Sequence, residues 1–484
     1  MKKCVMILFA SVLSLSLILS GFIGVVQADD LISTEDSSFV EPSLEDNFAD
    51  NHVLVVLTRE ASLEFNTYTE NSFSAIGCAK VTNLSDATGS MAQAAMTQAS
   101  AALLSGYTTI SPANEIKHAE TIGNYKQILC LELAEPGKEN VLAAIKLLMQ
   151  RDDVLYAGPD YIMSINERDA YGTAETNSDI SEEDKRWAVD KIKLSDAWRY
   201  TTGSSDVLVG ILDSGINGTH PALVSNLDKA LCYDFTSGSG IAEPNPVDGL
   251  TPTHGTGVAG IIGAQYDNAG SLDGVCQNVT MVSLKVGKLV SSNGFNIHMA
   301  WVISAIDYAA DIGVDILNFS AGWDESDMED PYYDYAVAAA IYNYPGLFVC
   351  AAGNKNWNND EVYNWPSNYD FPNLISVGSS TADDTKANSS CYGSTTVDIF
   401  APGEAVYSTS GGDGYSLQTG TSFATPYVTG VAALMLSVNP DLTPSELKEI
   451  ILITVDPIDA FETLCVSGGR LNAYRAVLAA LTRQ

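Results

Sequence analysis

Beyond Trp187, short apolar runs alternate with segments of helical periodicity, and this alternation restricts the possible fold more than any other feature of the chain. Strands that are apolar on both faces and alternate with helices form a parallel sheet that helices cover on both sides. We therefore predict an α/β fold with a doubly wound, mostly parallel sheet. The apolar runs lie at Val207–Leu212, Val279–Val286, Ile316–Phe319, Leu347–Ala352 and Leu374–Val377, and helical segments at Met299–Ile312 and Asp334–Tyr342.

Polar residues follow three of these predicted strands directly. Asp213, Ser320 and Asn354 each stand at the carboxyl end of an apolar run or just beyond it. In open parallel sheets, functional residues gather beyond the carboxyl ends of the strands. The sequence therefore predicts that these three side chains lie near one site.

Three short motifs supply the groups that a catalytic serine needs. Asp213 lies in Val-Gly-Ile-Leu-Asp-Ser-Gly, His254 opens His-Gly-Thr-Gly-Val-Ala-Gly, and Ser422 lies in Gly-Thr-Ser-Phe-Ala-Thr-Pro. A serine hydroxyl attacks an amide only with a base within hydrogen-bond reach, and that base needs a carboxylate that orients it. Each residue alone has a common structural role, as a turn aspartate, a core histidine or a helix-capping serine. The combination favours catalysis.

These motifs, in the order Asp, His, Ser, resemble the subtilisin-like secreted serine proteases (subtilases, peptidase S8 type). The resemblance extends from near Trp187 to the C-terminus. It implies that Ser422 is the nucleophile, that His254 transfers the proton and that Asp213 orients the imidazole. It also assigns the side chain of Asn354 and the backbone N–H of Ser422 to the oxyanion hole, although a Gly-Asn pair is also common in turns.

The same resemblance identifies candidate substrate-binding residues. The family pattern Ser-Leu-Gly-Gly, which lines the main specificity pocket, corresponds here to Ser320, Ala321, Gly322 and Trp323. The tryptophan departs from the pattern and is expected to narrow or cover a subsite. Lys355 and Asn364 are expected near the rim and base of the pocket. A cation there favours polar or acidic substrate side chains over basic ones.

The N-terminus has the pattern of a secretory signal peptide. Lys2 and Lys3 precede an apolar run from Val5 to Val26, and small residues stand before Ala28. We predict cleavage after Ala28, so that residues 1–28 are removed and the protein is secreted without a stable membrane span. An uncleaved anchor is the alternative, because the run approaches the length that spans a bilayer.

Residues 51–165 read as a small α+β domain that resembles the inhibitory propeptides of the same family. Its predicted strands are Val53–Leu57, Ile128–Leu133 and Val154–Asp160, and its predicted helices are Ala92–Leu104 and Asn140–Gln150. Residues 166–185 are acidic and nearly free of apolar side chains, so we predict an exposed linker with a processing site. Residues 186–484 then form the catalytic domain, which the chain's own propeptide is expected to inhibit.

Composition restricts the partners. The chain has 60 acidic and 24 basic residues and a formal net charge of -36, which opposes binding to nucleic acid. We expect protein or peptide substrates and a monomer. The eight cysteines show no CxxC or metal-type spacing, and one or two disulfides remain possible.

The chemistry of such a site requires no cofactor, but a structural calcium ion is possible. The position that the family uses for a calcium-binding aspartate is Ala222 here, which has no charged ligand. The segment Tyr266–Gly270 offers oxygen ligands, although its composition favours a turn without metal.

Two other functions remain open on the sequence alone. The first is a catalytically silent, subtilase-like binding protein, against which the complete set of motifs argues. The second is a membrane-anchored maturation protease with one dedicated substrate, which differs only in its partner and in the fate of the N-terminal apolar run.

Overall fold

The computed structural model describes residues 42–58, 61, 68–85, 127–166, 180–237, 254–265, 272–291, 294–324 and 335–483. The predicted signal peptide, the predicted helix Ala92–Leu104 and the segment Tyr266–Gly270 lie outside these residues.

The N-terminal part forms an antiparallel sheet with one helix packed against it. Its elements are β1 (Phe48–Leu57), β2 (Cys78–Asn83), β3 (Ile128–Leu133), α1 (Lys138–Leu148) and β4 (Val154–Asn166), with a 3₁₀ helix at Glu70–Ile76. The strands are ordered β2-β3-β1-β4. Helix α1 buries Val141, Ala144, Ile145 and Leu148, whose helical spacing forms one apolar face. The predicted α+β pattern is confirmed at these elements.

A nine-stranded sheet forms the centre of the remaining chain. The strands after β4 are β5 (Leu208–Asp213), β6 (Tyr233–Asp234), β7 (Thr280–Lys285), β8 (Gly287–Ser291), β9 (Gly294–His298), β10 (Ile316–Phe319), β11 (Trp323–Asp324), β12 (Leu347–Ala351), β13 (Asn364–Trp365), β14 (Leu374–Ser380), β15 (Ile399–Pro402), β16 (Val406–Thr409), β17 (Tyr415–Gln418), β18 (Asp456–Pro457) and β19 (Gly469–Arg470). The order in the sheet is β18-β19-β15-β14-β12-β10-β5-β7-β6. Every pairing in it is parallel except β18 with β19. The predicted doubly wound, mostly parallel sheet is confirmed.

The helices of this part are α2 (Glu182–Lys191), α3 (Leu194–Ala197), α4 (His254–Gly263), α5 (Met299–Asp311), α6 (Tyr335–Asn343), α7 (Thr421–Val438), α8 (Pro444–Ile453) and α9 (Ala473–Thr482). Helix α7 lies in the core. Among the described helices, α7 alone is long and apolar enough to cross a membrane, but 89% of it is buried in the protein. Its small and apolar residues therefore serve core packing, and they also explain why composition alone makes it look like a membrane span.

The two parts of the described chain share a second sheet. Strand β4 pairs antiparallel with β9, with Ile162 opposite His298 and Asn166 opposite Gly294. Strand β9 in turn pairs with β8, which extends the N-terminal sheet to six strands. Main-chain hydrogen bonds therefore join the N-terminal part to the part that contains the nine-stranded sheet.

The end of the predicted linker is helical. Helix α2 begins at Glu182, and the side chain of Ser181 accepts a hydrogen bond from the N–H of Asp184. The acidic residues at 182–184 stand in the first helical turn, where negative charge is stabilised. Ile180 is buried in the large apolar core that surrounds the nine-stranded sheet. The last residues of the predicted linker are therefore helical and follow a residue that packs into this core.

Seven cysteines lie in the part of the chain that the structure describes, and all seven are free thiols. Six are buried, and Cys78 is half-buried. Burial raises the pKa of Cys232 and of Cys276 to about 12. These thiols therefore behave as small apolar core groups.

Candidate active site

Asp213 and His254 form a buried pair at the carboxyl end of the parallel sheet. Asp213 is the last residue of β5, and His254 is the first residue of α4. Nδ1 of His254 lies 3.0 Å from Oδ1 and 2.9 Å from Oδ2 of Asp213. The two side chains are each 1% exposed. A carboxylate in this position holds the imidazole in the tautomer with its proton on Nδ1 and leaves Nε2 as the basic nitrogen.

Glycines and aromatic rings fix the position of the histidine. A Cβ on Gly255 would collide with the carbonyl oxygen of Gly215, so only glycine lets α4 approach the turn after β5. The imidazole ring contacts two phenylalanine rings, with centroid distances of 5.9 Å to Phe295 and 5.3 Å to Phe423. This apolar enclosure strengthens the interaction between the imidazole and Asp213.

Ser422 lies in the first turn of α7 and is 6% exposed. Its Oγ donates a hydrogen bond to the carbonyl oxygen of Ser320 at 2.9 Å. In return, Oγ of Ser320 donates to the carbonyl oxygen of Ser422 at 2.8 Å. A serine hydroxyl has one proton, so in this rotamer the proton points to the main chain and not to His254.

Asn354 is oriented by the residue that precedes Ser422. Oδ1 of Asn354 accepts hydrogen bonds from N of Thr421 at 2.9 Å and from Oγ1 of Thr421 at 3.0 Å. Because the amide oxygen is held at Thr421, the amide NH₂ group is turned the other way. A Cβ on Gly420 would lie 3.4 Å from this nitrogen, so the glycine leaves space beside the amide donor. The arrangement places a side-chain donor next to the first turn of α7.

A buried polar network behind the site was not found from the sequence. Asn318, on β10, donates from Nδ2 to Oγ of Ser320 at 2.9 Å. Its Oδ1 accepts from Oγ1 of Thr429 at 2.8 Å, about two turns along the helix from Ser422. The network therefore ties α7 to β10 at the height of the serine. Only the polar residue inside an otherwise apolar strand, Asn318, signals it in the sequence.

Asn364 closes the space between two glycines. A Cβ on Gly322 would lie 2.8 Å from Oδ1 of Asn364, and a Cβ on Gly353 would collide with its Nδ2. Asn364 is 3% exposed, and its Oδ1 has no hydrogen-bond partner among the described residues. A buried amide oxygen without a donor is costly, so this atom favours a ligand that brings one.

The other predicted pocket residues differ in their exposure. Ala321 is 7% exposed and immediately precedes Gly322. Lys355 is exposed, and its Nζ lies 5.3 Å from the centre of the Trp357 ring. Trp323 is 2% exposed and pairs with Trp365 across strands β11 and β13. The indole of Trp323 therefore packs in the protein interior.

The described residues near the predicted calcium site supply little for a metal ion. Ala222 is fully buried and has only main-chain oxygen to offer. The second candidate segment, Tyr266–Gly270, lies outside the described residues.

Residues 204–474 match the Subtilase family. The chain is 32% identical over 338 residues to the thermophilic serine proteinase of Bacillus sp. strain AK1. This match covers 70% of this chain and 76% of that proteinase. The chain is 32% identical over 293 residues to thermitase of Thermoactinomyces vulgaris, with 60% of this chain and 96% of thermitase covered. The chain belongs to the subtilase family, and it is a serine-type endopeptidase.

Other similarities agree with this family. Halolysin of Haloferax mediterranei is 31% identical over 369 residues, which cover 76% of this chain and 65% of halolysin. Among solved structures, MycP1 with its N-terminal propeptide removed superposes with a TM-score of 0.50 at 26% identity. That match covers 62% of this chain and 97% of the MycP1 chain.

Proposed function

We propose that this chain is the precursor of a secreted serine endopeptidase in which Asp213, His254 and Ser422 form the catalytic triad. The observation that carries the proposal is the buried contact between Nδ1 of His254 and both carboxylate oxygens of Asp213. Ser422 lies in the first turn of α7 and directly precedes Phe423, whose ring contacts the imidazole of His254. Such a pair activates a neighbouring hydroxyl.

In the proposed reaction, Oγ of Ser422 attacks the substrate carbonyl carbon while Nε2 of His254 takes the hydroxyl proton. The carbonyl electrons move onto the oxygen, which Nδ2 of Asn354 and the N–H of Ser422 stabilise. When the carbonyl reforms, the amine leaves with the proton from His254. Water then releases the acid from the acyl-enzyme by the same sequence of proton transfers.

The serine must first change its hydrogen bond. Its Oγ now donates to Ser320, so attack requires a rotation that turns the hydroxyl proton toward His254. The lost hydrogen bond contributes about 1 kcal/mol net, which is small beside a catalytic barrier. We infer that substrate binding completes this rotation, because catalytic hydrogen bonds often form only in the substrate complex.

We also propose that residues 51–165 are an inhibitory propeptide and that residues 186–484 contain the mature enzyme. Strand β4 runs along β9 so that Ile165 pairs with Phe295, and the Phe295 ring contacts the ring of His254. The end of β4 therefore lies beside the triad in the extended form that a protease substrate adopts. We expect self-cleavage within residues 166–185, first at the bond between Asn166 and Glu167.

We propose that Asn364 determines the preferred residue before the cut bond. Its side chain fills the space between Gly322 and Gly353, which makes the pocket shallow, and its buried Oδ1 favours a donor. Short polar side chains fit both conditions, whereas long basic chains do not. Lys355 on the rim adds a preference for acidic over basic groups.

Secretion is part of the same proposal. Residues 1–28 have the signal-peptide pattern, and the name of one relative, the halolysin-like extracellular serine protease Nep of Natrialba magadii, describes an extracellular enzyme at 30% identity. We expect the mature protein to be monomeric and to bind protein or peptide substrates.

Labelling with a fluorophosphonate tests the triad. Wild-type mature enzyme should be labelled at Ser422, and His254→Ala should lose labelling although the serine remains. Ser437→Ala is the matched control, because it changes a serine near the other end of the same helix, where its Oγ donates to the carbonyl oxygen of Leu434. Labelling of His254→Ala at the wild-type rate would refute the assignment of the base.

The Ser422→Ala precursor tests the processing. This variant should remain a single uncleaved chain under conditions in which the wild-type precursor is cleaved. N-terminal sequencing of the mature wild-type product should give a sequence that begins at Glu167. A mature start before residue 51 or after Trp187 would show that the proposed domain boundaries are wrong.

A further inference from the structure

Three side chains with metal-binding groups meet where the N-terminal sheet joins the catalytic part. His52 lies on β1, Asp160 on β4, and His298 at the end of β9. Oδ2 of Asp160 lies 3.1 Å from Nδ1 of His52 and 3.0 Å from Nδ1 of His298. The three ligand atoms lie within 4.8 Å of one another, and this is the one such group found among the described residues.

We propose that His52, Asp160 and His298 bind a divalent transition-metal ion of the Zn²⁺ type and that the ion fastens the N-terminal domain to the catalytic part. Two imidazole nitrogens and one carboxylate oxygen are ligands that such ions prefer. In a tetrahedral site with bonds of about 2.0–2.1 Å, the ligand atoms are about 3.4 Å apart. The observed separations reach that arrangement through small side-chain movements.

Contacts around the group hold the ligands in place. The side chain of Asp160 is 1% exposed, and its Oδ1 accepts a hydrogen bond from N of Ala300 at 2.9 Å. This bond fixes the carboxylate so that Oδ2 faces both imidazoles. The His298 ring also packs against the Trp301 ring, with 4.2 Å between the centroids. Fixed ligand orientation of this kind supports metal affinity.

The group also has an open side. The side chains of His52 and His298 are 30% and 20% exposed, whereas Asp160 is buried beneath them. An ion can therefore enter from solvent, and water can complete its coordination. The net charge of -36 on the whole chain favours the approach of cations.

The distribution of the ligands defines the effect of the ion. His52 and Asp160 belong to the proposed propeptide, and His298 belongs to the catalytic part, directly before helix α5. An ion bound by all three stabilises the docked state and not the separated one. The bound ion therefore delays release of the propeptide from the active site. This regulation goes beyond the proposed proteolytic function.

The alternative is that the three residues make hydrogen bonds only. Each neutral imidazole then donates Nδ1–H to Asp160, and these nitrogens have no lone pair for a metal. The Nδ1 atoms of His52 and His298 carry protons in the hydrogen-bonded arrangement and bind the ion in the metal-bound arrangement. Measured zinc affinity therefore distinguishes the two arrangements.

Calorimetric titration of the full-length Ser422→Ala precursor with Zn²⁺ tests the site. We expect one ion per chain, and we expect His298→Gln to raise the Kd at least about 100-fold, since loss of even a supporting residue costs 10- to 100-fold. His52→Gln provides a second variant if the first does not fold. Glu132→Gln is the matched control: Glu132 stands opposite His52 in the β1–β3 pairing, so the variant removes a nearby charge but no ligand.

Hydrogen exchange of the same precursor tests the fastening. Zinc should slow exchange of the amides at 162–166 and 294–298 in the parent and in Glu132→Gln, but not in His298→Gln. Absent zinc binding, binding that His298→Gln and His52→Gln leave unchanged, or binding without slower exchange would each overturn the proposal. Neither measurement requires cleavage of the precursor or a nucleophilic Ser422, so its outcome is independent of the proposed protease mechanism.

Discussion

The proposed oxyanion role of Asn354 can be tested through Thr421, the residue that orients its side chain. Thr421→Val keeps the shape of the side chain but removes the hydroxyl, which donates to Oδ1 of Asn354 and accepts a longer hydrogen bond from N of Gly353 at 3.2 Å. One such hydrogen bond contributes about 0.5–1.5 kcal/mol, so we expect kcat to fall by about 2- to 12-fold. Asn354→Ala removes the donor itself. We expect a fall of about 100- to 1,000-fold, or 2.7–4 kcal/mol, a range that comes from a subtilisin and not from this structure.

A double-mutant cycle separates orientation from independent effects. If Thr421 acts mainly through Asn354, the effect of Thr421→Val on kcat should be much smaller once Asn354 is alanine, when only the hydrogen bond from Gly353 remains to be lost. Steady-state kinetics of the four mature proteins on a chromogenic peptide give kcat and KM for the cycle. Thr425→Val is the control, because its Oγ1 donates to the carbonyl of Thr421 one turn along α7. Additive losses, or a loss chiefly in KM, would refute the reasoning.

Three further outcomes follow from single side chains. Asn364→Gly should shift peptide-library cleavage toward larger residues before the cut bond. The control Lys355→Ala should leave the size of the accepted residue unchanged. An unchanged size preference in Asn364→Gly would contradict the assignment of Asn364 to the pocket. Burial raises the pKa of Asp360, but hydrogen bonds from hydroxyl and main-chain groups outweigh it and lower that pKa from 3.8 to about 2. Its stabilisation is present above pH ~4 and disappears as the pH falls toward 2, so urea unfolding should show a defect of Asp360→Asn that narrows across this interval. Thr443→Ala removes a capping box with Glu446 at the N-terminus of α8 and should lower the free energy of unfolding by about 1 kcal/mol in the Ser422→Ala background. A change near zero would mean that this cap does not contribute to the stability of the fold.

Local patterns predicted the elements of the catalytic sheet well. The predicted strand Ile316–Phe319 agrees with β10 at both ends, and the predicted helix Met299–Ile312 differs from α5 by one residue. Periodicity succeeds here because these elements are buried on both faces or along one clear face. Periodicity did not predict the start of helix α2 at residues 182–185, because acidic residues are typical both of a solvated linker and of the first turn of a helix. Burial of Ile180, just before the helix, is a tertiary contact that the local sequence pattern does not show.

Motif spacing predicted which side chains would meet, but not how they touch. The pairing of Asp213 with His254 followed from the motifs, whereas the hydrogen bond from Ser422 to Ser320 depends on a rotamer that sequence does not specify. Local sequence patterns also did not predict contacts between segments that are far apart in the chain. Asp160 is 108 residues from His52 and 138 residues from His298, so only the pairing of β4 with β9 reveals that these residues are neighbours.

The free cysteines make the stability of the described fold independent of the redox state of its surroundings. Seven thiols without a disulfide mean that folding needs neither an oxidant nor an isomerase to select partners. A thiol that is buried with a raised pKa forms little thiolate and reacts slowly with alkylating agents and peroxide. Reducing agents and iodoacetamide should therefore leave the native enzyme active. The described fold can therefore form in a reducing or an oxidising compartment without a change in the bonding of these seven cysteines.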